Sequence, residues 1–228
     1  MTPDHDRVAS LVEPDKPRLA DWAYQEIRRH IVEGSLPPGT RLIEKRLTNS
    51  FGISRTPLRE ALRRLEQDGL IERHVGGGMS VTKLTLDELE EDMRIRAVLE
   101  GYCAALAADR ISEEALTELF AAHEDAADAI QRDDLEALAS SNTRFHDGIN
   151  TASGSPRIVA MVNDIRESIL RYRSEALADE TTRKRSFAEH LEILTAIKQR
   201  DSERAEKLMR AHIGGVAEHL VAVRRSNT

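Results

Sequence analysis

Aromatic residues make up only 4% of the 228-residue chain, too few for the stacking platforms that bind single-stranded nucleic acid. Cysteine occurs once, as Cys103, which excludes an intramolecular disulfide framework and a cysteine-based zinc ribbon. Long hydrophobic runs are missing too. The longest unbroken one is Cys103 to Ala108, against the roughly 20 residues that a membrane-spanning helix needs, so no membrane partner is expected. Met1 to Lys16 is polar and charged and holds no apolar segment of the secretory kind. The expected compartment is the cytoplasm. The chain is not of the disordered class either, with 40% hydrophobic and 32% charged residues. Its length suits one large domain or two small ones, each able to bury a core.

The formal net charge of −7 is unevenly spread. Lys16 to Lys83 holds 13 Lys and Arg against 8 Asp and Glu, a local +5 that leaves −12 for the remainder. That asymmetry suits a basic binding module joined to an acidic partner domain. In the basic part, Ala20, Tyr24, Ile27 and Ile31 recur at helical spacing before Gly34 and the turn Pro37-Pro38-Gly39. A short helix over about Glu44 to Ser50 follows, closed by Gly52. The next is predicted to start with Thr56 as cap and Pro57 as first helical residue, with Leu58, Ala61, Leu62 and Leu65 on one face. Leu70 to Arg73 and Met79 to Lys83 read as two short strands around Gly76-Gly77-Gly78.

Three helices and a hairpin in this span form the pattern of a winged helix-turn-helix. The helix near Thr56 leaves Arg59 and Arg63 one turn apart on its polar face, with Arg55 and Thr56 at its N-terminus. Helix N-termini bind phosphate through free amides, and arginine reads guanine bidentately in the major groove. Lys45 and Arg46 on the preceding helix suit the flanking backbone, and the glycine tip suits a close approach to a minor groove. The alternative is an arginine-rich solvated face, common on small helical domains.

After Thr85 the pattern is helical throughout. Six amphipathic segments in about 145 residues predict an antiparallel bundle. His146, His190 and His212 each fall inside the apolar stripe of a different helix, and Asn142 shares a face with His146. Buried polar groups are costly unless paired. Three imidazoles converging on a divalent metal, zinc, nickel or similar, would be paired. Singly, a buried histidine is most often a satisfied core residue, and His123 and His219 also lie near stripes. Arg96 sits beside the stripe of the first bundle helix, placed either for a carboxylate ligand or for a salt bridge to a bundle glutamate. Arg183-Lys184-Arg185 reads as a solvated helix start.

Two stretches resemble a known family. Pro37-Pro38-Gly39-Thr40-Arg41-Leu42, Glu44, Leu47, Gly52 to Leu62, Leu65 and Gly69-Leu70-Ile71 are similar to the GntR family of bacterial regulators. The resemblance implies DNA contacts from Lys45, Ser54, Arg55, Thr56, Arg59 and Gly76, and a homodimer on a palindromic operator. Asn142-x-x-Phe145-His146, Glu189-His190, Met209-x-x-His212 and Arg96-x-x-Leu99-Glu100 resemble the all-helical FadR C-terminal effector domain. This implies Asn142, His146, His190 and His212 as metal ligands and a small organic acid as effector, with Arg96 contacting it. The first ligand is often aspartate in that subfamily; asparagine brings no charge, so metal affinity should fall. The organisation expected is a flexible arm over 1–17, a DNA-binding domain over 18–83, a linker over 84–86, and an effector-binding and dimerisation domain over 87–228.

A metal-dependent helical-bundle enzyme with an appended basic domain is the competing class. No His-Glu-x-x-His motif occurs, none of the three stripe histidines has a glutamate three residues before it, and Glu189 is expected on a different face from His190. A nucleophile elbow, a Walker loop and a dinucleotide fingerprint are also missing. The chain is expected not to be an enzyme.

Overall fold

The computed structural model describes residues 16–169, 172, 176–177 and 179–226. Of the arm expected over 1–17, residues 1–15 lie outside the described residues, and Lys16 and Pro17 open the first helix. Contacts divide the chain after Lys83 into two compact units.

The first unit runs α1 (Lys16–Val32), β1 (Arg41–Leu42), α2 (Glu44–Phe51), α3 (Arg55–Gln67), β2 (Ile71–Arg73) and β3 (Met79–Val81). Ile27 and Ile31 of α1 bury completely, in one core with Leu58, Leu62 and Leu65 of α3. Tyr24, expected inward, is only partly buried; its hydroxyl donates to Asp68 (2.6 Å) while the Arg64 guanidinium lies 4.3 Å from its ring centre. The start of α3 differs from expectation. Ser54 is the N-cap residue, without a side-chain cap bond, and Pro57 is the third helical residue. A proline fits there because first-turn amides have no intrahelical acceptor to lose. The hairpin gains a third strand: β3 is central, antiparallel to both neighbours, with Arg41 opposite Ser80 and Ile71 opposite Val81. Gly77 and Gly78 turn its tip with φ of 86° and 95°, a region that favours glycine.

The second unit is helical throughout its described residues: α4 (Leu86–Arg110), α5 (Glu113–Gln131), α6 (Leu135–Ala152), α7 (Pro156–Ile169), α8 (Glu180–Lys198) and α9 (Ser202–Ser226). The sequence pattern predicts that the helix opened by Ser155-Pro156 runs to about Ser174, an end that lies outside the described residues. Of the three residues expected as a linker, Leu84 donates its N–H to the Tyr172 hydroxyl (2.9 Å). Thr85 closes a capping box with Glu88, and Leu86 opens α4. Helices α4 and α9 form the most extensive packing in this unit. Their crossing needs Gly101, where a Cβ would lie 2.6 Å from Arg210 Cγ. Phe145, Leu194, Met209 and Ile213 fill the main core, and a smaller cluster joins Ala126, Ala129 and Leu138 to Phe187. Among the described residues, no helix is long and apolar enough to cross a membrane.

Candidate functional site

The first unit keeps its hydrophobic residues on one side of α3 and presents polar ones on the other. Lys45 and Arg46 of α2, Ser54, Arg55, Thr56, Arg59 and Arg63 at and along α3, and Gly76 at the hairpin tip are all exposed. Arg55, Arg59 and Arg63 recur every four residues, hence on one face. Arg59 Nε donates to Glu44 Oε2 (3.0 Å), and Arg63 Nη2 to Glu60 (2.9 Å). The side chains of Lys45, Arg46 and Arg55 hold no ion pair among the described residues. These groups form a cationic surface whose only internal restraints are light, solvent-exposed pairs.

In the second unit, α6, α8 and α9 bring His146, His190 and His212 together. All three are buried, and one nitrogen of each lies within 4.8 Å of the others. His190 stacks on Phe145 with ring centres 3.8 Å apart. Its Nε2 faces His212 Nε2 at 3.2 Å. Two imidazole nitrogens sharing a metal at about 2.0–2.1 Å sit roughly 3.0–3.4 Å apart, so the spacing already fits a common cation. The outer nitrogens are oriented by carboxylates. His146 Nδ1 contacts Glu100 Oε2 at 2.6 Å, and His212 Nδ1 contacts Glu189 Oε2 at 2.8 Å. With those nitrogens carrying the protons, both Nε2 atoms keep free lone pairs, the state a metal ligand needs.

Glu100 is fully buried, and its Oε1 accepts from Arg96 Nε at 2.5 Å. Burial alone would raise its carboxyl, yet Arg96 and His146 hold it well below the usual carboxylate range. Burial drives His146 down to about 4 against the pull of Glu100. His190 is pushed well below the ordinary histidine range by burial and by the neighbouring His212 and His146. Near neutral pH the pair is therefore a neutral His146 donating to an ionised Glu100.

A stability prediction follows from this pair. His146 titrates near 6.5 in an unfolded chain and near 4 in the folded one, so its contribution is complete above about pH 6.5. As pH falls toward 4, the unfolded chain takes up a proton that the folded chain does not. The metal-free helical unit is expected to lose about 3 kcal/mol over that interval from His146 alone. Urea unfolding with chelator present, followed at several pH values, checks this. A flat profile would overturn the neutral, buried assignment.

The cluster opens on a cavity of about 110 Å³ whose wall includes Asn142, Arg96, His123, Arg166, Arg183 and Phe187. Asn142 is half-buried, one turn from His146 on α6. Arg96 makes the salt bridge to a bundle glutamate, Glu100, and its residue also borders the cavity. Glu189 stands about 100° around α8 from His190, as adjacent helical residues do. Although adjacent to His190, its side chain reaches across to His212 on α9. The Arg183-Lys184-Arg185 run is only partly solvated. Lys184 is 67% exposed, but Arg183 borders the cavity, and Arg185 donates to the Gly215 carbonyl (2.8 Å). The sequence reading names Glu100, Glu189 and Arg183 but gives none of them a role at this site, and it does not name Arg166. Glu100 carried a usable signal, lying four residues after Arg96 and three before the buried Cys103 on one helical face.

Comparison with known proteins agrees with both halves. Residues 19–81 match the family of bacterial regulatory proteins described as gntR, and residues 91–215 match the FCD domain. The chain is 33% identical over 204 residues to the HTH-type transcriptional regulator YdhC of Bacillus subtilis (strain 168), covering 86% of this chain and 88% of the relative. It is 26% identical to the HTH-type transcriptional repressor RspR of Escherichia coli (strain K12), covering 97% and 96% of the two. The solved structure of E. coli McbR/YncC is similar at TM-score 0.73 and 26% identity, with 92% of this chain and 98% of that one covered.

Proposed function

The chain belongs to the GntR family of bacterial regulatory proteins, with an FCD domain, and is a transcriptional regulator, not an enzyme. From that premise we propose that it represses transcription as a homodimer on a palindromic operator, and that a small carboxylate entering the helical unit releases it. The family membership and its regulator relatives set aside the metal-dependent enzyme. Repression is favoured because RspR bears that description.

The observation that carries the effector reading is the buried histidine cluster open to a cavity. His146, His190 and His212, with the Asn142 carbonyl oxygen, would hold a divalent metal, zinc, nickel or similar. When bound, such an ion supplies a Lewis-acid anchor for a carboxylate. Glu100 and Glu189 fix the ring orientations. Arg96, positioned by Glu100, offers its remaining N–H groups to the acid. Lys45, Arg46 and Arg63 suit phosphate contacts, Ser54, Arg55, Thr56 and Arg59 suit the groove, and Gly76 suits the flanking minor groove.

The dimer reading rests on α4. Ile95, Val98 and Tyr102 are 41%, 49% and 49% exposed at i, i+3 and i+7, an apolar stripe without cover. A two-fold operator needs two reading helices, and a second copy supplies both the cover and the second helix. Titrating the full chain onto DNA from upstream of its own gene, read by fluorescence anisotropy, tests the whole proposal. Binding should weaken steeply with salt, and small carboxylates should release it. Val98→Asp should give a monomer by light scattering and an operator affinity at least about tenfold weaker. Equal binding to unrelated duplex of the same length would overturn the regulator's assigned operator mode.

A further inference from the structure

The cavity extends beyond the histidine cluster. His123, on α5, lines it but is not part of the metal-ready trio. Its side chain is 8% exposed, and its Nδ1 has no hydrogen-bond partner among the described residues. Phe187 holds the ring in place, stacked at 4.1 Å between centres and 11° between planes. A ring fixed by stacking, with a buried nitrogen left unpaired, is costly to a protein that does not use it.

Arg183 and Ser186 line the same cavity, and Ser186 directly precedes the Phe187 that stacks on His123. Arg183 donates to the Leu177 carbonyl (3.1 Å) and lies 3.5 Å from the exposed Asp133 carboxylate. A guanidinium has five N–H groups, so donors remain for a ligand. Arg183, Ser186 and His190 occur at i, i+3 and i+7 of α8, on one face. Seven residues of helix rise about 10 Å. The cavity wall thus carries polar groups at His190 and, seven residues earlier on the same helix face, a cationic one at Arg183.

We propose that His123, Arg183 and Ser186 form a second polar subsite that takes the far carboxylate of a linear diacid, so that the effector is selected by length. This rests on the acid-effector reading above and goes beyond it, since a single carboxylate at the cluster needs none of these three residues. In its bound state Arg183 neutralises the second carboxylate, while the His123 Nδ1–H tautomer and the Ser186 hydroxyl donate to its oxygens. Phe187 sets the ring angle and is a positioning residue.

The test is calorimetric titration of the full-length protein with linear diacids from succinate to pimelate and with monocarboxylates of the same lengths. Affinity should peak at one diacid length, at least about tenfold above the matching monocarboxylate, the advantage expected of one charge-assisted pair. His123→Phe keeps the stack on Phe187 and removes the nitrogen. It should lose most of that advantage while binding propionate as before, and Arg183→Gln should do the same. A diacid advantage undiminished in both variants would overturn the subsite. So would the absence of any length dependence in a protein that binds short acids, with the effector reading left standing. If no acid binds at any length, both readings fall together.

Discussion

Replacing His146 and His212 together by alanine is expected to take the protein from about one divalent metal per chain to none, measured by elemental analysis of tag-free protein purified without added metal. The expectation comes from how the cluster is built. Both Nε2 atoms point inward because Glu100 and Glu189 hold the opposite nitrogens, and burial keeps His146 and His190 neutral. Two of three imidazoles are then lost, and Asn142 carries no charge with which to compensate. Removing His146 also leaves the buried Glu100 with Arg96 as its remaining partner. That costs about 1–3 kcal/mol, within the roughly 5–15 kcal/mol of a typical fold. Circular dichroism of the variant should therefore remain helical. Glu100→Gln is the subtler arm: with every ligand kept but His146 less firmly oriented, metal affinity should fall about 10- to 100-fold. Asn142→Asp runs the other way, since an added anionic oxygen should tighten binding by roughly tenfold. Metal absent from the unsubstituted protein would overturn the ligand set and make Arg96 the first contact for the acid.

The three histidines were legible because burial follows a 3.6-residue period, and each occupied an apolar position on its own helix. What the period does not carry is the second layer. Adjacent helical residues diverge by about 100°, which puts Glu189 on a different face from His190. That angle is correct, yet the side chain is long enough to reach α9 from there. Arg185 looked solvated because nothing local reveals that Gly215 offers a bare carbonyl and no side chain on the facing helix. Strand β1 has two residues, too few for any alternation to register. The start of α3 slipped for a different reason: proline is acceptable throughout a first turn, so it marks the turn and not the residue.

Arg59→Ala is expected to weaken operator binding by about 1–3 kcal/mol, roughly 5- to 150-fold, and to relax preference at one base pair per half-site. In the free protein its side chain is 64% exposed and its guanidinium lies against Glu44. An exposed pair of this kind adds little to stability, so the loss should appear in binding while the melting temperature stays near that of the unsubstituted protein. Glu44 fixes one edge of the guanidinium and leaves the other nitrogens free, the geometry of a residue pre-set for a bidentate contact. Lys45→Ala supplies the contrast. A phosphate contact carries no sequence information, so its loss should weaken all sequences alike and lower the salt slope by about one. Anisotropy titrations of both variants on operator and single-base variants, at three salt concentrations, separate the two signatures. If Arg59→Ala behaves as Lys45→Ala is expected to, with a shallower salt slope and base preference intact, then α3 lies along the backbone through this residue. The reading contact would then pass to Arg55, whose side chain holds no ion pair among the described residues and which stands one turn nearer the helix N-terminus.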